Sequence, residues 1–181
     1  LGGSHLPDIT VFAPVFDRNG KILCFLANRA HHSEIGGISP GSMPAGSTNL
    51  SEEGVVIPPM HIFQNGDSKI NEIIKILKDG KFPSRQPMEN RADLSAQIAS
   101  LRRGIKEILM LEAEYSREEL QKHMNEIRLD SRNHCRAFLK NWGNGILRTT
   151  QKFDDGDQLA LKVSINDDRV TFDFSGTSPA R

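Results

Sequence analysis

Residues 9–16, Ile-Thr-Val-Phe-Ala-Pro-Val-Phe, and residues 22–27, Ile-Leu-Cys-Phe-Leu-Ala, are two apolar, β-rich runs on either side of Asp17-Arg18-Asn19-Gly20-Lys21. Asn-Gly between such runs is the strongest short-range hairpin signal, because both central residues of the tight turn need positive φ. With Asn19 and Gly20 at the centre, Arg18 pairs with Lys21 and the numbers of every opposed pair sum to 39. Asp8 then faces His31, and His5 lies near Glu34. A longer turn would move the register by one and put His32 in place of His31. The runs are apolar at nearly every position, which predicts strands covered on both faces inside a larger sheet. Pro14 removes one ladder donor and points to an edge or a bulge.

The pairing matters because it gathers chemistry. Two imidazoles and two carboxylates from separate segments, His5-Leu6-Pro7-Asp8 and His31-His32-Ser33-Glu34, come to one end of the hairpin. Directly opposed Cβ atoms there sit ~4.5–5.5 Å apart. Histidine with Asp or Glu and open positions suits a borderline or hard divalent ion such as Zn²⁺, Mn²⁺ or Fe²⁺. The competing reading is plainer: His5 and Asp8 form a polar strand entry, and the histidine pair sits on a solvated turn.

Working outward, residues 33–47 change to Gly, Ser and Pro, the signature of a loop held in one shape. Its successive backbone N–H groups could cradle an anion, although it lacks the Gly-Lys-Ser/Thr of a P-loop. Val55-Val56-Ile57 and His61-Ile62-Phe63 read as short strands around Pro58-Pro59, with a turn at Asn65-Gly66-Asp67. Helical spacing of Ile70, Ile73, Ile74 and Leu77 predicts a helix over about 69–79. After a polar connection over 81–90, Leu94, Ile98, Leu101, Ile105 and Ile108 predict a long helix over about 92–114. Ser116-Arg117-Glu118-Glu119 has the form of a capping box and starts another over about 117–140, the two making an antiparallel helical hairpin. The closing segment, 158–175, alternates as a β-hairpin about Asn166-Asp167-Asp168. Hairpins flanking a long helical hairpin define an α+β fold with mixed or antiparallel sheets.

The 181 residues carry 23 Lys+Arg against 23 Asp+Glu. Without a basic stripe a nucleic-acid partner is not expected, and without an apolar run of ~20 residues neither is a membrane span. Two cysteines are too few for a disulfide framework, so the expectation is a cytoplasmic protein with buried, reduced thiols. The length allows one domain, 1–181. The chain starts without Met and ends straight after a strand pattern, so it reads as an excised, partial domain.

Several motifs together point to a family. Gly2-Gly3-Ser4-His5-Leu6-Pro7-Asp8, the run from Ala27-Asn28-Arg29-Ala30-His31-His32-Ser33-Glu34 to Ser42-Met43-Pro44, Glu52-Glu53-Gly54, Asp93-Leu94-Ser95-Ala96-Gln97-Ile98-Ala99 and Phe172-Asp173-Phe174-Ser175-Gly176-Thr177 resemble, in order, the motifs of the hydantoinase B/5-oxoprolinase family. Glu34 stands where many relatives have Asp. The resemblance implies a hydantoinase B-like part of an ATP-dependent amidohydrolase that opens a cyclic amide, 5-oxoproline or a hydantoin-like lactam. It implies a divalent metal (Mn, Zn or Mg) on His5, Asp8 and His31, and ATP used through a hydantoinase A-like partner domain or subunit, in a fused chain or hetero-oligomer. Glu34 or Asp93 is then the expected proton carrier. Gly36, Gly37, Ser39, Gly41 and Ser42 of the loop, with Gln97, are the expected substrate contacts, and the isolated piece is expected to be inactive. The metal-bearing subunit of an acetone-type carboxylase and a non-catalytic assembly fragment are the alternatives.

Overall fold

A computed structural model describes residues 5–64 and 66–179. The chain divides into two compact units, Leu1–Arg117 and Glu118–Arg181.

In the first unit, β1 (Asp8–Phe16) pairs antiparallel with β2 (Ile22–His31). A single turn of helix, α1 (Leu50–Glu53), follows the Gly/Pro loop. The two-residue strands β3 (Phe63–Gln64) and β4 (Asp67–Ser68) pair with each other, and α2 (Ile70–Asp79) and α3 (Pro87–Tyr115) complete the unit. Val11 from β1, Ile35 and Val55 from the loops, Ile73, Ile74 and Leu77 from α2, and Leu94 and Leu101 from α3 form one buried cluster. Because side chains alternate along a strand, Val11, Val15 and their inward neighbours pack under α3, while the even-numbered residues of β1 face the other way.

The hairpin register is the expected one, Asp8 opposite His31 through to Val15 opposite Cys24, but it is reached differently. The turn has three residues, not two: Asp17 N–H donates to Lys21 O at 2.8 Å, Gly20 N–H returns to Asp17 O, and Gly20 takes a φ of +74°. That is the longer loop that would displace the register by one. An irregularity between Val15 and Phe16, which pairs with Ile22, leaves Leu23 as the extra residue and restores it. The two deviations cancel. Asp17 organises the turn, its Oδ1 accepting from the N–H groups of Asn19 and Lys21. Those bonds, led by the Lys21 N–H, and the Arg117 guanidinium hold its carboxyl below the ordinary value.

Several expectations change. Only one face of the hairpin is covered among the described residues; Phe12 and Phe25 are 69 % and 61 % exposed on the other. Residues 55–57 belong to no strand, the Val55 N–H donating instead to Ile35 O at 2.9 Å, and the expected strand at 61–63 gives way to β3, since Pro58-Pro59 cannot donate to a ladder. Asn65 of the expected turn lies outside the described residues, as does the Gly2-Gly3-Ser4 part of the first motif; Gly66 takes a φ of +88°. Helix α3 begins at Pro87, five residues before the expected 92, since proline is well suited to a first helical turn.

The second unit holds α4 (Arg117–Trp142) from Glu118 onward and a three-stranded antiparallel sheet, β5 (Gly145–Lys152), β6 (Gln158–Asn166) and β7 (Arg169–Asp173), in the order β5-β6-β7. The expected closing hairpin is β6-β7; β5 has no apolar alternation to announce it and is exposed throughout. Arg136 pairs with Asp168 across this unit. Cys135 is exposed, because its place on α4 faces solvent, so the expectation of buried thiols fails there; Cys24 is half-buried. Among the described residues no helix is long and apolar enough to cross a membrane.

Candidate metal centre and its support

His5, Asp8 and His31 each offer a donor atom, and these atoms lie within 4.8 Å of one another. Asp8 and His31 meet because they are opposed in the ladder and point to the open face; His31 Nδ1 is 3.0 Å from Asp8 Oδ1. His5 is brought in by the turn before β1, where the Asp8 N–H donates to His5 O at 3.1 Å. The His5 and His31 rings stack with centroids 5.2 Å apart and planes 6° apart. Arg29, the next outward residue on β2, reaches Asp8 Oδ2 at 4.0 Å. The donor set is two imidazoles and a carboxylate, accessible from solvent, with His31 54 % exposed. Donors ~2.0–2.2 Å from one tetrahedral ion lie about 3.3–3.6 Å apart, a spacing that modest side-chain rotation gives from 4.8 Å or less, so these residues fit a borderline divalent ion with open coordination positions.

His32, one residue on, points the other way and is fully buried. Its Nε2 is 3.1 Å from Gln97 Oε1, and its Nδ1 lies 3.5 Å from Asn90 Nδ2 and 3.7 Å from Asp93 Oδ2. Asp93 is partly exposed, at the rim of this network, and is the expected proton carrier with solvent access.

Glu34 has a different placement from the one a proton carrier needs. Burial alone would raise its pKa, but the N–H groups of Arg85 and Gly36, both at 2.6 Å, the Ser84 hydroxyl and the Arg85 guanidinium together hold it below the ordinary carboxylate value. An ionised carboxylate with both oxygens engaged fastens the start of the Gly/Pro loop to the segment before α3.

The loop itself corrects the anion-cradle expectation. Gly36 N–H is used by Glu34, Gly37 N–H by Phe82 O and Ile38 N–H by Glu52 O. Ser42 is buried, its hydroxyl bridging Ile35 N–H and Gly36 O. Gly36 and Gly37 serve close packing instead: both have a φ of +93°, and a Cβ would lie 2.2 Å from Phe82 O at the first and 2.6 Å from Glu52 O at the second. Ser39 and Gly41 of the same loop are half-buried. Gln97 is buried with every side-chain polar atom engaged, so it faces the scaffold and not a substrate.

Ser84, Arg85 and Asn90 were not legible as site residues. Asn90 alone carried a signal, a polar residue one turn from Leu94 and two from Gln97 on the buried stripe of α3.

A solvent-open His-Asp-His cluster thus stands on one face of the hairpin, with a buried polar network behind it. The sequence profile described as hydantoinase B/oxoprolinase matches residues 1–181, and the chain belongs to that family. It is 38 % identical to 5-oxoprolinase 1 of Arabidopsis thaliana over 98 % of the chain, and 36 % identical to the 5-oxoprolinase of Saccharomyces cerevisiae over 99 %. It spans only 16 % and 15 % of those two proteins. The crystal structure of an ATP-dependent caprolactamase from Pseudomonas jessenii shares the fold, with a TM-score of 0.81 at 22 % identity over 94 % of this chain and 30 % of that one.

Proposed function

We propose that this chain supplies the divalent metal centre of an ATP-dependent amidohydrolase that opens a cyclic amide, 5-oxoproline or a hydantoin-like lactam. The observation that carries the reading is the meeting of His5, Asp8 and His31 on the open face of the β1-β2 hairpin. The family and the two 5-oxoprolinases support the substrate class. ATP enters through a hydantoinase A-like partner domain or subunit, in the cytoplasm; the Gly/Pro loop at 33–47 lacks the Gly-Lys-Ser/Thr of a P-loop.

His5, Asp8 and His31 would hold Mn²⁺, Zn²⁺ or Mg²⁺, and the bound ion would polarise an activated carbonyl centre or lower the pKa of its water. Asp8 and His31 keep their mutual orientation through the ladder, and Arg29 beside Asp8 adds positive charge on the side from which an anionic substrate approaches. Asp93, partly exposed and 3.7 Å from His32, is the remaining candidate for the proton carrier. Ser39 and Gly41 are the loop positions left for substrate contact.

The test uses the intact enzyme with His5→Ala and His31→Ala variants. Mn²⁺ or Zn²⁺ content and lactam-dependent ATP hydrolysis are measured together. Loss of metal with loss of lactam opening is expected; variants that open the lactam at the wild-type rate would overturn the reading.

A further inference from the structure

Gln97 makes an arrangement that neither substrate binding nor simple core packing requires. Its Nε2 donates to Ile9 O at 2.9 Å and to Asn28 Oδ1 at 3.1 Å, and its Oε1 faces His32 Nε2 at 3.1 Å. Its backbone carbonyl also accepts from Asn28 Nδ2 at 2.9 Å. Because the amide nitrogen is committed to two acceptors, Oε1 must accept, which assigns a hydrogen to His32 Nε2.

The positions of the two partners matter. Ile9 follows Asp8 in the chain, and His32 follows His31. One amide on α3 therefore joins the residue after each of two of the three clustered donors. On the other side of Asp8, Pro7 O accepts from the His32 N–H at 2.9 Å. The backbone on either side of Asp8 is thus tied, at Pro7 O through the His32 N–H and at Ile9 O through Gln97, while the side chains of Asp8 and His31 face the opposite way.

We propose that Gln97 is a positioning residue for the metal centre. It touches neither ion nor substrate and sets the spacing of Asp8 and His31 from behind the hairpin. The inference rests on the metal reading above and deepens it. Partners that orient ligands without touching the ion typically change metal affinity by about 10–100-fold when lost.

The experiment compares the intact wild-type protein with Gln97→Met, Gln97→Glu, His5→Ala and Leu94→Ala. Mn²⁺ affinity is measured by titration, and the visible spectrum of the Co²⁺-loaded protein reports ligand geometry. Gln97→Met keeps the volume and removes all polar atoms. Gln97→Glu keeps the acceptor for His32 and removes both donations, so it carries the test if the methionine variant fails to fold. Leu94→Ala, one turn earlier on α3, is a packing control. The expected result is Mn²⁺ binding weakened by about 10–100-fold with an altered Co²⁺ spectrum in the Gln97 variants, while Leu94→Ala keeps both near wild type.

Wild-type affinity and spectrum in both Gln97 variants, with binding abolished by His5→Ala, would overturn the positioning role and leave the metal centre standing. An equal loss in Leu94→Ala would reduce Gln97 to ordinary scaffold packing. A wild-type protein that binds neither ion would remove the metal reading, and the role of Gln97 with it.

Discussion

His31 and His32 are neighbours in the chain, yet one lies more than half exposed beside Asp8 and the other is completely buried beneath α3. The contrast extends along the whole hairpin. The face carrying Asp8 and His31 continues outward to Arg29, Phe12 and Phe25, all exposed, whereas the face carrying Val11, Val15 and Asn28 is sealed by α3. Two imidazoles of identical chemistry are thereby given different work. The outer is available to an ion and solvent, and the inner is a fixed hydrogen-bonding strut. What separates them is the two-residue period of extended backbone, which sends successive side chains to opposite faces.

The largest loss of stability on the inner face is expected of Leu94→Ala. Leu94 is 1 % exposed at the centre of the packed cluster, so truncation should destabilise the protein by about 2–5 kcal/mol, read from denaturant unfolding. His32→Ala comes next. It strips Gln97 Oε1 of its buried partner, and a loss of about 1–3 kcal/mol is expected in the same assay.

A smaller effect separates the faces by pH. Glu34 has its folded pKa below the ordinary 4.5, so its stabilising contribution is present above that value and is lost as the pH falls through the folded pKa. Glu34→Gln should flatten the acid side of the stability profile in thermal unfolding between about pH 5 and pH 3. Asp17, also held low, should keep part of the slope. A wild-type acid slope in the variant would show that the Glu34–Arg85 pairing is not maintained in solution.

The smallest effect on stability belongs to the outer face. His31→Ala should change the unfolding free energy by no more than about 0.5 kcal/mol, as for other substitutions of solvent-exposed side chains. By the proposed metal reading, the same variant should also lose Mn²⁺ binding, read by titration. A His31→Ala protein as unstable as His32→Ala would erase the contrast between the two histidines.

Much of this was readable from residue order. Asn19-Gly20 between apolar runs placed Asp8 opposite His31, and the spacing of Ile73, Leu77, Leu94 and Leu101 placed α2 and the body of α3. The route to the register was not readable. A three-residue loop and a compensating irregularity at Val15/Phe16 give the same pairing as a tight turn, and local sequence signals do not distinguish the two. Nor was β5, whose Arg-Thr-Thr-Gln lacks apolar alternation. The role of Glu34 was invisible for another reason. Its partners Ser84 and Arg85 are some fifty residues away, and only folding brings them within hydrogen-bond reach.

The sequence by itself determined which residues could carry the chemistry, and through the hairpin register it brought Asp8 to His31, because ladder pairing follows from turn chemistry and the apolar pattern. It also determined the family. The tertiary structure alone decided which residues stay available. Packing of α3 on one face of the hairpin consumed His32, Gln97 and Asn90, and Arg85 consumed Glu34 and the Gly37 carbonyl. Burial requires every polar group to find a partner, and those partners come from segments that are distant in the chain.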